Sequence, residues 1–315
     1  VGGIAGYNAG IVENCLVINT EFSNRWALSI AYPFYCTITT SYSRNCTFDD
    51  YSISDCYTVT GGTGVTVVVN SYEYGVTYNG TLYVSGDAHL SLNLSYDNVP
   101  SGQAPIFFAS GGTLTGTGNP YTFDMANYED VTITAVLGLA NVPYLDANGV
   151  QQTCPVAQLI TSSTSEYSTV YDGQWFVVDG NITVTPGIGF HEDTYLILKD
   201  GATLNTDEIE GRYTLTIYAQ SEGDNMGVIN ATVAAEGLTI NGGIINANQN
   251  NNSELYSNRG DLVINSGRIT ANLIEAKYVD HKSVVNLLLG CRNTTDFITA
   301  TNYSCPNGNV KVKEG

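Results

Sequence analysis

The chain has 315 residues, only 13% of them charged, and its formal net charge at pH 7 is −19. Eleven Lys and Arg residues against 30 acids cannot form the basic track that nucleic acid or an anionic membrane surface requires, and no apolar run is long enough to span a bilayer. The length predicts two or three domains. Thr, Ser, Asn, Gly and Tyr are abundant and no long stretch has the periodicity of an amphipathic helix, so the composition predicts an all-β protein.

Residues 1–59 begin with a glycine-rich stretch, VGGIAGYNAGIVENCLV. A phosphate-binding loop would need a helix after the glycines and an acidic ribose ligand further on. Instead, apolar residues alternate over 11–17 as in a short strand, and the glycines are typical of turns. We interpret residues 1–59 as the end of an array of β repeats, in which 54–57 is a looser echo of 13–16. Because residue 1 falls inside the motif, we expect a longer chain before it.

Residues 60–138 have a different sequence pattern. Short alternating segments such as VTVVV, HLSLNL and VTITAV are separated by glycine, Asn-Pro and Pro-Ser-Gly turns. This spacing predicts a small antiparallel β-sandwich or roll. We interpret residues 139–149 as a linker.

Residues 150–315 are periodic. The segment LTINGGIINAN at 238–248 aligns with LVINSGRITAN at 262–272, with Leu, Ile, Asn, Gly and Ala recurring at an offset of 24. Going backwards from Leu238, similar segments begin at Leu215, Leu196 and Phe176. A period of roughly 20 to 24 residues without helices predicts a parallel β-solenoid, or β-helix. A leucine-rich repeat would need a longer Leu and Asn signature, which is missing.

The residue pattern of a rung also predicts which side chains stack on those of the next rung. Leu238 and Ile240 are expected to point inward, and the Asn-Gly-Gly that follows turns the corner. Repetition should place Asn241 beside Asn265 and Asn248 beside Asn272. Their side-chain amides could then hydrogen-bond along the solenoid as corner ladders.

Three stretches resemble known bacterial families. Residues 1–15 closely resemble the GLUG motif of bacterial cell-surface proteins. Residues 112–135, with GTLTGTGNPYTFDMA and EDVTITA, look like the end of a divergent internalin-type B-repeat, with Ala126 where such repeats usually have proline. Residues 144–154 and the solenoid after them are similar to the C-terminal β-helical region of large secreted proteins from anaerobic bacteria. These resemblances imply an extracellular, surface-attached or filament-forming bacterial protein without a catalytic residue.

One charged cluster offers the residue types of an enzyme. Pectin-lyase-like β-helices cleave acidic polysaccharides with carboxylates, a basic residue and Ca²⁺, and comparable groups follow one rung here. An Arg beside acids in a loop is more often a solvated ion-pair patch, and the shortage of Lys and Arg disfavours an anionic sugar. We therefore expect no catalysis by the cluster, which consists of Asp200, Asp207, Glu208, Glu210 and Arg212.

Metal and cofactor sites are not indicated. His89, His191 and His281 lie far apart and in no metal-binding spacing. No EF-hand loop or calcium-binding nonapeptide occurs, so Ca²⁺ could be held only by loop geometry that the sequence does not display.

Cysteines and tyrosines each leave two interpretations open. Cys291 and Cys305 flank a loop that a disulfide could close, while buried unpaired thiols stacked in successive rungs are about as compatible with the sequence. Tyr72, Tyr74 and Tyr78 crowd one short region. They could stack on sugar rings if exposed, although packing over strand faces is the more common role.

We therefore expect a non-catalytic structural or adhesive module on a bacterial cell surface. Its partners would be further copies of itself, neighbouring surface proteins, or host or microbial glycans. The alternative is a carbohydrate-binding or polysaccharide-cleaving β-helix protein, which would need a groove with convergent carboxylates and a bound cation.

Overall fold

The computed structural model describes residues 5–8, 11–13, 16–18, 21–22, 31–33, 37–39, 42–44, 46–48, 52–53, 56–69, 75–78, 81–85, 89–116, 118–125, 130–161, 174–247, 254–277, 285–306 and 308–312. Within these ranges the regular structure is β-strand throughout, which confirms the all-β fold predicted from the sequence. The chain divides into two compact units, Val1–Pro100 with Pro105–Val136, and Ser101–Ala104 with Leu137–Gly315.

Nine short strands open the chain. They are β1 Ala5–Asn8, β2 Ile11–Glu13, β3 Leu16–Ile18, β4 Glu21–Phe22, β5 Ala31–Pro33, β6 Thr37–Thr39, β7 Tyr42–Arg44, β8 Cys46–Phe48 and β9 Ser52–Ile53. The first four pair in parallel with the next four, so that Ile11 lies opposite Thr37 and Leu16 opposite Tyr42. Each strand thus lies beside the one 26 residues later, as successive rungs of a repeat would.

A small antiparallel sandwich follows. Its strands are β10 Cys56–Gly61, β11 Val65–Val69, β12 Gly75–Tyr78, β13 Thr81–Ser85, β14 His89–Tyr96, β15 Gln103–Ala109, β16 Gly112–Thr115, β17 Tyr121–Met125 and the beginning of β18 Val131–Leu145. One sheet has the order β11-β14-β17-β16, and the other contains β10, β12, β13, β15 and β18. Inward side chains from both sheets, including Leu82, Leu92 and Phe123, form one core.

Of the looser echo at 54–57, residues 54–55 lie outside the described residues. Cys56 begins β10 and lies opposite Ser85 in an antiparallel pair of the sandwich. Residues 56–59, predicted to end the repeat array, therefore pair within the sandwich.

Residues 139–149, predicted to be a linker, form the tip of a β-hairpin. Its second strand is β19 Gln151–Leu159, which pairs antiparallel with β18. Asp146 holds the turn, because its Oδ1 accepts the N–H groups of Asn148 at 2.8 Å and Val150 at 3.0 Å. These donors lower the pKa of Asp146. The second half of β18 was not predicted from the sequence because it contains Gly, Asn and Pro, which are depleted in strands.

The remaining chain winds into a parallel β-solenoid of about five turns, as predicted. Its strands are β20 Gln174–Val178, β21 Asn181–Thr183, β22 Gly187–Phe190, β23 Thr194–Leu198, β24 Thr203–Ala219, β25 Val228–Ile240, β26 Ile244–Ala247, β27 Glu254–Ser257, β28 Leu262–Ile264, β29 Arg268–Ala276, β30 Asn286–Leu289, β31 Phe297–Ser304 and β32 Asn309–Val312.

Each rung has three sides. The first side contains β20, β23, the ends of β24 and β25, β28, β30 and β32. The second contains β21, β26 and the starts of β24, β25, β29 and β31. The third contains β22, the middle of β24 and β25, β27, and the ends of β29 and β31.

Registers on the first side refine the predicted repeat. Leu238 lies opposite Leu262, as the aligned segments predict, but Leu196 lies opposite Ile217 rather than Leu215. The sequence alignment was two residues off at that rung because inward positions recur every second residue, so a slip of two preserves the apolar pattern.

The interior of the solenoid is a continuous apolar core. Inward side chains from all three sides are buried, from Phe176 and Phe190 in the first rung to Leu287 near the end. Each rung covers the inward side chains of its neighbours, so the core extends with the number of rungs rather than closing on itself.

The hairpin of β18 and β19 adds a second core outside the first side. Val177 and Ile197 alternate with inward residues and so face outward, yet both are fully buried. They pack with Val142, Cys154 and Ala157 of the hairpin. The first side therefore carries apolar residues on both faces in its first rungs, which explains runs such as WFVV and YLIL.

Arg292 ties the tip of this hairpin to the solenoid. Its Nη1 donates to the Asp146 carbonyl at 3.1 Å, and its Nε donates to Glu222 Oε1 at 2.7 Å. The side chain is only 17% exposed. One guanidinium thus joins two solenoid corners and a turn that lies 146 positions earlier in the chain.

We expect Arg292→Ala to lower the free energy of unfolding by about 2 kcal/mol, because it removes charge-assisted bonds from a mostly buried group. Urea denaturation of the full chain would measure this. Arg259→Ala is the matched control, since Arg259 forms an exposed ion pair with Glu236 and its loss should cost under about 1 kcal/mol. Equal losses in the two variants would contradict a clamping role for Arg292.

Candidate functional site

The third side of the solenoid carries a depression made by missing side chains. Outward positions of the first rung are Gly187 and Gly189, which pair with Glu208 and Glu210 of the second. A Cβ at Gly189 would meet only His191 Nε2, at 3.8 Å, so packing does not demand glycine there. The bare backbone leaves a hollow of about 260 Å³ beside the two carboxylates.

A second hollow adjoins the first at the corner between the third and first sides. It has a volume of about 510 Å³ and shares Glu210 and Arg212 with the first hollow. Tyr213, which is 49% exposed, lies on its wall together with Asn258 and the ion pair between Glu236 and Arg259. We call the two hollows together the corner groove.

The corner groove is polar and mixed in charge. Partial burial raises the pKa of Glu208, and the neighbouring Glu210 raises it further. Further along the same side, Lys277 lies 4.2 Å from the centre of the Tyr256 ring and 3.1 Å from Glu275. Carboxylates, guanidinium groups, an amide and one exposed aromatic ring therefore line a groove that runs across several rungs. These groups are able to bind a ligand rich in hydroxyl groups.

The predicted charged cluster is only partly brought together. Glu208, Glu210 and Arg212 line the groove, and His191 joins them. Asp207 lines neither hollow, and Asp200 lies at a different corner, where Ser221 Oγ donates to its Oδ1 at 2.8 Å. Within the residues that the structure describes, no group of three or more His, Cys, Asp or Glu side chains is arranged to hold a metal ion, Ca²⁺ included.

Stacked asparagines run along the solenoid in two places. Asn265 Nδ2 donates to Asn241 Oδ1 at 2.7 Å at the corner after the first side, where the sequence predicted this pair. The second predicted pair cannot be compared, because Asn248 lies outside the described residues. Asn272 lies within β29 and has an interaction partner.

A longer ladder on the second side was not predicted. Asn246 Nδ2 donates to Asn230 Oδ1 at 2.9 Å, and Asn230 Nδ2 donates to Asn205 Oδ1 at 2.8 Å. These residues occupy one outward column, flanked by Thr183 and Thr270. In the sequence, each of these asparagines lies two residues after the start of a strand. The spacing from one asparagine to the next is uneven, so the sequence did not reveal that they share a column.

A cluster of aromatic rings lies under and beside the hairpin. Trp175 stacks on Tyr195 of the next rung with ring centres 4.7 Å apart, and Tyr144 of the hairpin contacts both Trp175 and Tyr218. Burial raises the pKa of Tyr218 to about 12. Of the predicted sugar-stacking residues, Tyr72 and Tyr74 lie outside the described residues, as does the side chain of Tyr78 in β12.

Of the two interpretations left open for Cys291 and Cys305, the disulfide is not formed, and both are free thiols. Cys291 follows β30 on the first side and is exposed, whereas Cys305 follows β31 at the end of the third side. Along the chain, the second and third sides of the rung lie between Cys291 and Cys305. Cys305 instead packs against the solenoid core, with its Sγ 3.5 Å from the Val285 carbonyl oxygen.

Comparisons with protein-family models, curated proteins and solved structures find no match to this chain. The part of the chain that the structure describes contains no helix able to cross a membrane. The fold alone defines the class of this chain, which is a β-solenoid protein with an antiparallel β domain earlier in the sequence.

We expect Asn230→Ala to lower the free energy of unfolding by about 2 kcal/mol and Asn205→Ala by about 1 kcal/mol, since the first residue makes two ladder bonds and the second makes one. Urea denaturation of both variants would give the ratio. Equal losses would contradict a ladder in which each amide–amide bond contributes separately.

Tyr218 should make the protein sensitive to alkali. Its folded pKa of about 12 lies above the ordinary tyrosine pKa of 10.0, so the unfolded chain loses this proton first. The contribution of protonated Tyr218 to the free energy of unfolding is fully present below about pH 10 and is lost as the pH rises toward about 12. Urea midpoints should therefore fall more steeply over this window in the wild type than in Tyr218→Phe. Tyr213→Phe is the control at an exposed tyrosine, and parallel curves for wild type and Tyr218→Phe would contradict the assignment.

Proposed function

We propose that the chain is a non-catalytic structural or adhesive module of an extracellular bacterial surface protein. The observation that carries the proposal is the uninterrupted solenoid core with side-chain amide ladders along it. Backbone pairing and apolar packing join each rung to its neighbours, and hydrogen bonds between asparagine side chains link several of the rungs. Such a solenoid resists bending and local opening, which suits a spacer that holds another part of a protein away from a surface.

Localisation at the cell surface is part of the same proposal. It is supported by the resemblance of residues 1–15 to the GLUG motif and of the solenoid to β-helical regions of secreted bacterial proteins. The parallel stacking of β1 to β4 on β5 to β8 agrees with a repeat at that position. The net charge of −19 favours solubility and disfavours anionic partners.

A second candidate function is glycan binding in the corner groove. The observation that favours it is the exposed Tyr213 ring beside Arg212, Glu210 and Asn258. A neutral sugar could stack on the ring and exchange hydroxyl hydrogen bonds with the charged groups. The carboxylates of Glu208, Glu210 and Glu236 line the groove, and Arg259 is already paired with Glu236. Because these carboxylates would repel an acidic sugar, we propose a neutral glycan.

Electron microscopy of the purified protein, with neutral and acidic glycans screened on the same sample, tests both candidates. For a spacer we expect single particles that do not assemble into filaments, and no turnover of polysaccharides. Hydrolysis or elimination products from any glycan would contradict the non-catalytic proposal.

Variants of the groove separate spacer from adhesin. If neutral glycans bind, Tyr213→Ala should weaken binding by about fivefold or more through the lost stacking contact. Lys311→Ala removes one exposed charge outside the groove and is the control for Arg212→Ala. Binding that survives both Tyr213→Ala and Arg212→Ala would exclude the corner groove, and absence of binding would leave the spacer function alone.

A further inference from the structure

Two asparagines of the described residues are followed directly by glycine. This pair of residues is chemically labile, because a glycine without a Cβ lets its backbone nitrogen approach the side-chain carbonyl of the preceding asparagine. Asn148 precedes Gly149 at the tip of the hairpin, and Asn241 precedes a second glycine at the corner after the first side. The other Asn-Gly pairs begin at Asn79 and Asn307, which lie outside the described residues.

The surroundings of Asn241 protect it from this reaction. The residue is only 3% exposed. Its side-chain Oδ1 accepts Asn265 Nδ2 at 2.7 Å, and its backbone N–H donates to the Ile217 carbonyl at 2.8 Å. A side chain held in this way cannot turn toward the next backbone nitrogen, and water has little access to it. We therefore expect Asn241 to be stable as long as the solenoid is folded.

Asn148 differs because it is exposed and lies in a turn. The reacting nucleophile would be the Gly149 backbone nitrogen, whose N–H donates to the Asp146 carbonyl at 3.0 Å. The same carbonyl accepts Arg292 Nη1 at 3.1 Å. The Gly149 nitrogen must leave this bond before it can attack Asn148, so the turn has to open first. Arg292 holds the carbonyl that holds the nucleophile, and its release is part of that opening.

We propose that Asn148 is a site of spontaneous deamidation and that the Arg292 clamp sets its rate. In the open turn, the Gly149 nitrogen forms a bond to Cγ of Asn148. The Cγ–Nδ2 bond breaks, and Nδ2 leaves as ammonia with the proton of the Gly149 N–H. Water then opens the resulting succinimide ring at either carbonyl and gives aspartate or isoaspartate. The side-chain amide and one water thus become a carboxylate and ammonium, with no oxidation or reduction.

The isoaspartate product would unfasten the tip of the hairpin. In isoaspartate the main chain runs through the former side chain, which adds an atom between residues 148 and 149. Asp146 Oδ1 now accepts the N–H groups of Asn148 at 2.8 Å and Val150 at 3.0 Å, and the longer main chain would separate these two donors. The clamp therefore weakens as a molecule ages. The inference goes beyond the proposed function and holds whether or not the groove binds a glycan.

Peptide mapping by mass spectrometry tests the site in the full chain, incubated at mildly alkaline pH. In the folded wild type we expect Asn148 to deamidate about tenfold or more faster than Asn241, because a turn opens locally whereas a buried ladder residue is exposed only by wider unfolding. In urea the two rates should become similar, since both residues precede glycine. A rate at Asn148 no higher than that at Asn241 in the folded protein would overturn the assignment of the site.

The Arg292→Ala variant tests the control by the clamp. We expect deamidation of Asn148 to accelerate by about fivefold or more, because the bonds to the Asp146 and Ala147 carbonyls are lost. Asn241 should accelerate less, since its ladder bond remains. Arg259→Ala removes an exposed ion pair and should leave both rates unchanged. An unchanged rate at Asn148 in Arg292→Ala would overturn the control by the clamp, and so would equal acceleration at Asn148 and Asn241, which indicates global unfolding.

The isoaspartate form, separated from the aged wild type by chromatography, tests the consequence for the hairpin. We expect its urea midpoint to lie below that of the unmodified protein, because the turn bonds to Asp146 are disrupted. Identical midpoints would overturn the loosening of the clamp by deamidation.

Discussion

Parallel in-register pairing between successive rungs is the constraint on which the solenoid depends. An isolated rung has three short strands and no partner for its inward side chains, so neither its backbone groups nor its apolar residues are satisfied. Once rungs are stacked, Ile217, Ile240 and Ile264 lie one above another and cover each other. The outward columns are stacked by the same pairing, so the asparagine ladders and the corner groove both follow from it.

The stacking also explains why the groove has its particular composition. On the third side, side chains that are distant in sequence become neighbours across rungs at a fixed strand spacing. Two glycines in one rung therefore create space beside two glutamates of the next. The groove depends on which residue types happen to share a column, and it would be lost if the register of one rung shifted by a single residue.

Much of the fold could be predicted because period and alternation are local properties of the chain. The similar segments that begin at Leu238 and Leu262 predicted their register and the contact between Asn241 and Asn265. The ladder through Asn230 and the cluster around Trp175 could not be predicted in this way, because uneven rung lengths and the hairpin decide them. The sequence left the state of Cys291 and Cys305 open because the spacing of two cysteines does not specify which corners they occupy. Crowding in the sequence, which suggested sugar stacking by Tyr72, Tyr74 and Tyr78, does not determine exposure, whereas the exposure of Tyr213 depends on its corner position.

The hairpin clamp gives the folding of this solenoid a direction. In most repeat proteins each unit contacts only its neighbours, so folding can begin at any unit and spread along the array. Here the turn at Asp146 is synthesised long before Arg292, the residue that holds it. During synthesis the hairpin can pack on the first rungs, but its tip stays unfastened until the chain has wound to the last ones. The hairpin is made before the solenoid but is completed only after the chain has wound to Arg292.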